Sequence, residues 1–411
     1  MRTADPFGWA PERAPDIGLT QMRDAQLSLR PGIVELGWGH PDPGLLPVAQ
    51  IAEAATEAMT HGGAATLSYG AERGPAELRG FLSQWLTAEG GGVITEDRVL
   101  ITGGVSQALD LLCTLLTRPG DRILVASPAY HLALRIFRDH GLQIDFVPCD
   151  AEGIEISALA DHLSDRRDPP PRFLYAIPTF CNPTGATWTS ERRRVAVSLA
   201  AERGLTILED DVYRALWFSE PPPPTLHYYA PEGGVILLGS FSKVLAPGLR
   251  LGWLVGSRGL VDRCAACGLL DSGGNVSYFA AQVAAAFVRA GEFAFHLERL
   301  RAAYRGRRDI LLQGLESHLP NGFHWEEPGG GYFLWVELPS GCDSAALLSQ
   351  AEAEGVSYIP GVRFGPPDRG AQFLRLSYSL LPGRQLRLGA RRLGELLHRV
   401  APGDEQFRTR K

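Results

Sequence analysis

Between about residues 98 and 256, short apolar, β-rich runs alternate with helical stretches, and this alternation constrains the fold of the 411-residue chain more than any other feature. The runs RVLITGG, DRILVA, LQIDFVP, PRFLYAIP, GLTILED, GVILLGS and LGWLVG read as strands. Segments such as SQALDLLCTLLTR and SERRRVAVSLAAERG read as helices between them, the second opening at Ser190 and closing at Gly204. That succession predicts a parallel sheet covered by helices. Downstream, residues 276–319 read as two long helices, and WVEL, VSYIP and FLRLSYS as strands separated by further helices, which predicts a smaller α+β unit. The Pro- and Gly-rich opening reads as an extended arm. The expected division is an arm over 1–44 that packs with the small domain, a large domain over 45–290 and a small domain over 291–411. No internal repeat or low-complexity tract interrupts it, and the proline run at 221–224 reads as a rigid surface loop.

With 45% hydrophobic residues, the chain has enough apolar material for a large core. Its net charge of −6 is spread out, with no basic block to neutralise phosphates, so nucleic acid is excluded as a partner. Nowhere do 18 apolar residues run together, so no membrane partner is expected and a cytoplasmic location follows. The six cysteines form no disulfide framework, and Cys264 and Cys267 in CAAC lack a second pair at zinc spacing. They read as helix-core residues, and no metal is expected. No G-x-G-x-x-G follows a strand, which argues against a nicotinamide-dependent dehydrogenase.

Lysine occurs at Lys243 and Lys411 and nowhere else, while arginine carries the other side-chain cations. In a composition that uses arginine wherever a generic cation suffices, an internal lysine suggests chemistry that needs an amine. A deprotonated amine condenses with an aldehyde; a guanidinium does not.

Parallel sheets bind ligands at the carboxyl ends of their strands, and the residues there form a consistent set. After RVLIT, the N–H groups of Gly104, Val105 and Ser106 open a helix, a setting that favours phosphate. SPAY places Tyr130 beyond the next strand, where its ring can stack on a flat heteroaromatic ligand. PRFLYAIP leads to CNPTG, in which Asn182 can donate to a phenolate oxygen while Pro183 and Gly185 fix a turn. GLTILED ends at Asp210 and Asp211, with Tyr213 three residues after the first, and a buried carboxylate there can keep a pyridine nitrogen protonated. GSFSKVLAPGLR supplies Ser240, Ser242, Lys243 and Arg250, two hydroxyls and a guanidinium beside an amine, which suits a phosphorylated aldehyde.

In this order and spacing the motifs resemble those of fold-type I pyridoxal-phosphate enzymes, specifically the class I/II aminotransferases, over nearly the whole chain. The resemblance implies an α/β fold: a large domain with a mostly parallel sheet of the seven-stranded type covered by helices, plus the smaller α+β C-terminal domain joined by the N-terminal arm. It implies pyridoxal 5′-phosphate bonded to Lys243, with its phosphate on Gly104, Val105, Ser106, Ser240, Ser242 and Arg250. Tyr130 would stack on the ring, Asn182 and Tyr213 would face its O3′, and Asp210 its nitrogen. FLRLSYS makes Arg375 the grip for a substrate carboxylate. SYGAERGPAELR makes Tyr69 a residue that reaches the neighbouring subunit's phosphate, hence a homodimer with shared sites. The implied reaction moves an amino group from an amino acid to a 2-oxo acid, with Lys243 carrying the Cα proton.

Two other functions compete. The same scaffold hosts lyases, cyclases, decarboxylases and oxidases. A ligand-sensing module of a transcription regulator would need a basic helix-turn-helix domain, where this chain has a short Pro-rich arm. Relatives that use dicarboxylates commonly place a second arginine after the lysine segment, and here that region, LLDSGGNVSYF, has none. A neutral or basic substrate side chain is therefore expected, with Asp271 a conceivable partner for a cation. The arm commonly closes over the substrate, which puts Trp38, Gly39 or His40 near it; Gly39 is named among the expected substrate contacts with Arg375 and Asn182.

Overall fold

The structure is a computed structural model that describes residues 29–165 and 169–400. Most of the arm, residues 1–28, and Lys411 therefore lie outside the described residues. The described chain opens with β1 (Val34–Glu35) and continues into a large sheet. Its strands are β2 (Val99–Thr102), β3 (Arg122–Ser127), β4 (Gln143–Asp150), β5 (Gly153–Ile154), β6 (Phe173–Ala176), β7 (Thr206–Asp210), β8 (Val235–Ser240) and β9 (Gly252–Val255). The order across the sheet is β2-β9-β8-β7-β6-β3-β4-β5. Strands β8, β7, β6, β3 and β4 run parallel, while β9 lies antiparallel between β8 and β2.

Seven of these strands match the seven apolar runs of the sequence. The two-residue β5 is an eighth that sequence patterning does not show. It forms because the Asp150 carboxylate accepts hydrogen bonds from the N–H groups of Glu152 and Gly153, at 2.8 and 3.1 Å, and turns the chain back on β4.

Strands β2, β6 and β9 are buried at every position, as a sheet covered on both faces demands. Alternate residues feed different layers. Leu174 and Ile207 join Ala196, Val197 and Ala200 of the helix Ser190–Glu202 on one face; Tyr175 and Leu208 join Ala108 and Leu112 of the helix Val105–Leu116 on the other. The cap of the helix Ser190–Glu202 is Thr189 rather than Ser190, its hydroxyl accepting from the Arg192 N–H at 3.2 Å. Cys264 is a buried core residue as expected, but Cys267 sits half-buried at the start of the next short helix.

The long helix Glu292–His318 leads to β10 (Phe333–Glu337), β11 (Val356–Ser357), β12 (Ile359–Pro360) and β13 (Phe373–Ser377). Strands β10, β13 and β12 form an antiparallel sheet, and β1 of the arm pairs in parallel with β11. The arm thereby crosses to this C-terminal layer before the large sheet begins. Because β3, β6, β7 and β8 are neighbours, the loops after their carboxyl ends lie side by side and face the arm and β13. No helix among the described residues is long and apolar enough to cross a membrane.

Candidate active site

Strand β2 ends at Thr102, and Gly104 caps the helix Val105–Leu116 with φ +89°, a conformation that side chains avoid. The position also has no room: a Cβ there would stand 2.9 Å from Nη2 of Arg250. Arg250, itself left-handed at φ +50°, donates through Nη2 to the Gly103 carbonyl at 3.2 Å. A guanidinium thus lies beside Gly104 where the helix Val105–Leu116 begins, and with the first N–H groups of that helix it suits an anion. The Ser240 hydroxyl donates to the Leu251 carbonyl at 3.2 Å and accepts from the Ser242 N–H at 3.0 Å, fixing the turn that carries Lys243.

Asp210 closes β7 and is buried. Its Oδ2 accepts from the Tyr175 hydroxyl at 2.7 Å, and its Oδ1 is buried with no hydrogen-bond partner among the described residues. Burial pushes the carboxyl up to about 7, against the Tyr175 hydrogen bond, and the neighbouring Asp211 charge adds to the rise that Lys243 opposes. The Lys243 amine donates to the Gly39 carbonyl at 3.2 Å and lies 5.4 and 5.9 Å from the ring centres of Tyr332 and Tyr213. Burial lowers it to about 8, with Arg375 and Arg250 pressing the same way and Asp210 opposing. Tyr213 is buried, its ring packed against Tyr332 and Phe333. Tyr130 is half-buried just before the helix His131–Asp139, packed on the same face of the sheet as Tyr175.

Arg375 on β13 donates through Nη1 to Oδ1 of Asn182 and through Nη2 to the Gly37 carbonyl, both at 2.7 Å. Its guanidinium lies 4.1 and 4.9 Å from the ring centres of Phe333 and Phe364. With its amide oxygen engaged, Asn182 has its NH2 to offer a ligand. Gly39 passes so close that a Cβ would fall 2.5 Å from Cζ of Phe333. Of the three arm residues, Gly39 turns its carbonyl to Lys243; Trp38 is buried with its ring on His40, and the His40 carbonyl accepts from Ser379.

The structure therefore brings Asp210, Tyr213, Lys243, Arg375, Asn182 and Gly39 into one cluster, with Gly104 and Arg250 forming the adjoining cradle. Tyr69 is 89% exposed instead of packed with them, and Asp271 is exposed at the end of the short helix Gly268–Asp271. Sequence reading gave no role to Tyr175, Tyr332, Phe333 or Phe364. Tyr332 donates to the Lys243 carbonyl at 3.2 Å, and the rings of both phenylalanines pack on Arg375.

The family model described as aminotransferase class I and II matches residues 31–393. The chain belongs to this family. The 2-aminoadipate transaminase of Thermus thermophilus is 36% identical over 400 residues, 95% of this chain and 98% of that one. The aromatic-amino-acid aminotransferase 1 of Thermococcus litoralis is 33% identical over 368 residues, 89% and 88% of the two chains. A crystal structure of the α-aminoadipate aminotransferase of Thermus thermophilus, complexed with N-(5′-phosphopyridoxyl)-L-leucine, matches with a TM-score of 0.81 at 36% identity, covering 89% of this chain and 92% of that chain. The present chain is a pyridoxal-phosphate-dependent aminotransferase, acting on an amino acid and a 2-oxo acid. Its residues fit the cofactor: the cradle at Gly104 and Arg250 suits a phosphate, the orphaned Oδ1 of Asp210 a protonated ring nitrogen, and the enclosed amine of Lys243 an aldehyde.

Proposed function

We propose that Lys243 is the residue that bonds to the cofactor and carries the substrate's Cα proton. The observation that carries this reading is a buried lysine amine on the Gly39 carbonyl, facing the rings of Tyr332 and Tyr213, with its basicity lowered to about 8 by burial. When bound, pyridoxal phosphate supplies an aldehyde for amine exchange and a ring that accepts the electron pair of the breaking Cα–H bond. Around it, Gly104, Val105, Ser106, Ser240, Ser242 and Arg250 take the phosphate. Tyr130 would cover one ring face, and Asn182 and Tyr213 would face the ring hydroxyl. Asp210 holds a proton at the ring nitrogen. Arg375, already oriented by Asn182 and Gly37, binds the substrate carboxylate bidentately without having to be ordered first. Lys243, lowered to about 8 and so neutral for part of its population near pH 7, would serve as the base that takes the Cα proton and as the acid that gives it back.

For the substrate we propose a neutral side chain, with a basic one as the second choice and a dicarboxylate disfavoured. The walls near Arg375 and Lys243 are Phe333, Phe364, Tyr332 and Tyr213, and the segment 269–279 holds no arginine to meet a distal carboxylate. One relative is named for aromatic amino acids, and the one named for aminoadipate was solved with a leucine conjugate. Leucine, phenylalanine, lysine, 2-aminoadipate and aspartate, compared as donors in the first half-reaction alone by the spectral change of the bound cofactor, should rank with the neutral pair at least about tenfold above both dicarboxylates, 2-aminoadipate and aspartate. Either 2-aminoadipate or aspartate as the best donor would refute the preference.

We also propose a homodimer. Tyr69 at 89%, Leu67 at 66% and Phe279 at 44% exposure present apolar and aromatic surface in the single chain, and the motif containing Tyr69 implies that it serves the neighbour's site. Light scattering on the purified protein is expected to give twice the 44.6 kDa chain mass, and a single-chain mass would remove Tyr69 from the site.

A further inference from the structure

We infer that Tyr175 is a positioning residue of this aminotransferase: its hydroxyl pins Asp210 through Oδ2, leaving Oδ1 as the oxygen that meets the ring nitrogen. The inference rests on the assignment of Asp210 to that nitrogen and deepens it.

The sheet register dictates the contact. Tyr175 on β6 stands opposite Leu208 on β7, and the two strands run parallel. Two residues farther along β7 the side chain returns to the same face, so Asp210 projects on the side where Tyr175 lies, one step nearer the carboxyl edge. A tyrosine is long enough to span that step; phenylalanine fills the same space without the donor. The Tyr175 ring is fully buried and packed edge-on against Phe137 at 5.3 Å, so its hydroxyl is delivered to one place, 2.7 Å from Oδ2. Burial and the adjacent Asp210 raise the phenol well above its ordinary value, so it remains a donor throughout the working pH range.

The other groups around Asp210 do not substitute for it. Asp211, next in the chain, and Tyr213, three residues on, destabilise or do not relieve its charge; Cys181, from the loop after β6, is a thiol raised to about 11 by burial and hence neutral; Lys243 is a countercharge that the cofactor bond engages. Without Tyr175, both carboxylate oxygens would lack a fixed donor in a buried site, and the protonated form would gain.

The test is Tyr175→Phe in the full chain, which keeps the ring and its packing. In the cofactor-free protein the Asp210 carboxyl, followed by infrared difference spectroscopy and assigned with Asp210→Asn, is expected to titrate higher than in the wild type. The dissociation constant for pyridoxal phosphate is expected to rise roughly tenfold or more, the scale of a hydrogen bond to a charged group. In an Asp210→Asn background the same change is expected to alter that constant less than about twofold, because the effect passes through Asp210. An unshifted Asp210 titration and unchanged affinity in Tyr175→Phe would overturn the inference while leaving the site assignment standing. An Asp210→Asn protein that binds pyridoxal phosphate as tightly as the wild type and keeps its turnover would overturn the assignment of Asp210 and this inference together.

Discussion

Lys243→Arg is expected to abolish transamination, lowering kcat by at least about 10²–10⁴-fold, the usual weight of a positioned proton carrier. The substitution keeps the positive charge and most of the volume, so a loss separates amine chemistry from electrostatics. The guanidinium neither condenses with an aldehyde nor releases a proton near neutral pH. The visible absorption of the cofactor–lysine bond is expected to vanish as well. Lys243→Ala leaves space where the amine stood, and added methylamine is expected to restore a measurable fraction of turnover by entering that space as a base. The pH dependence gives an independent reading. The amine is nucleophilic when neutral, and its environment lowers it to about 8 from an ordinary value of 10.5. The rate at which cofactor-free protein bonds an aldehyde such as pyridoxal should therefore climb with pH and flatten above about 8. A rate still climbing toward the ordinary 10.5 would show a solvated lysine. Full activity in Lys243→Arg would end the proposed assignment.

How much of this was legible in the sequence differs from residue to residue. Apolar strands that stop at polar residues mark the carboxyl edge of a parallel sheet, so Asp210, Asn182 and Lys243 could be placed near one another from the sequence. The scarcity of lysine singled out Lys243 on chemical grounds. Partnerships between distant segments were not legible: Arg375 meets Asn182 across 193 residues of chain, and no local pattern encodes that contact. Tyr175 stayed hidden because a tyrosine inside an apolar strand reads as core, and it is core; its function lies in where the hydroxyl ends. Among Trp38, Gly39 and His40, the group that meets Lys243 is a backbone carbonyl, which side-chain identity does not reveal. The eighth strand depends on a side-chain-to-backbone turn at Asp150 and spans two residues, too few for periodicity to register. Tyr69 needs a second chain for its proposed contact, and one chain's sequence supplies that contact through family resemblance alone.

The second large effect is expected at Asp210. Asp210→Asn preserves shape, and its amide oxygen can still accept from Tyr175. What changes is the group left for the ring nitrogen: an NH2 donor replaces a carboxylate oxygen, so a protonated nitrogen there would face another donor and gives up its proton. A neutral ring accepts the electron pair from Cα poorly, and kcat is expected to fall roughly 10²–10³-fold, comparable to deleting one preorganised electrostatic stabiliser. The stability of the cofactor-free protein is expected to move the other way. The wild-type carboxyl is raised from 3.8 to about 7, chiefly by burial, so the folded chain holds a proton that the unfolded chain releases. The folded state therefore loses stability as pH rises from about 4 to about 7, a cost on the order of a few kcal/mol, and the loss is complete above that window. Asp210→Asn removes the titration. At about pH 8 the cofactor-free variant is expected to melt above the cofactor-free wild type, and at about pH 4 the two are expected to converge. Bound cofactor should reverse the ranking at the higher pH, because the wild-type carboxylate then has a cationic partner and the amide does not. Thermal melts of both proteins, with and without pyridoxal phosphate, at the two pH values decide the matter. A wild-type protein that gains nothing over Asp210→Asn when cofactor is added would show that the carboxylate does not face the ring nitrogen.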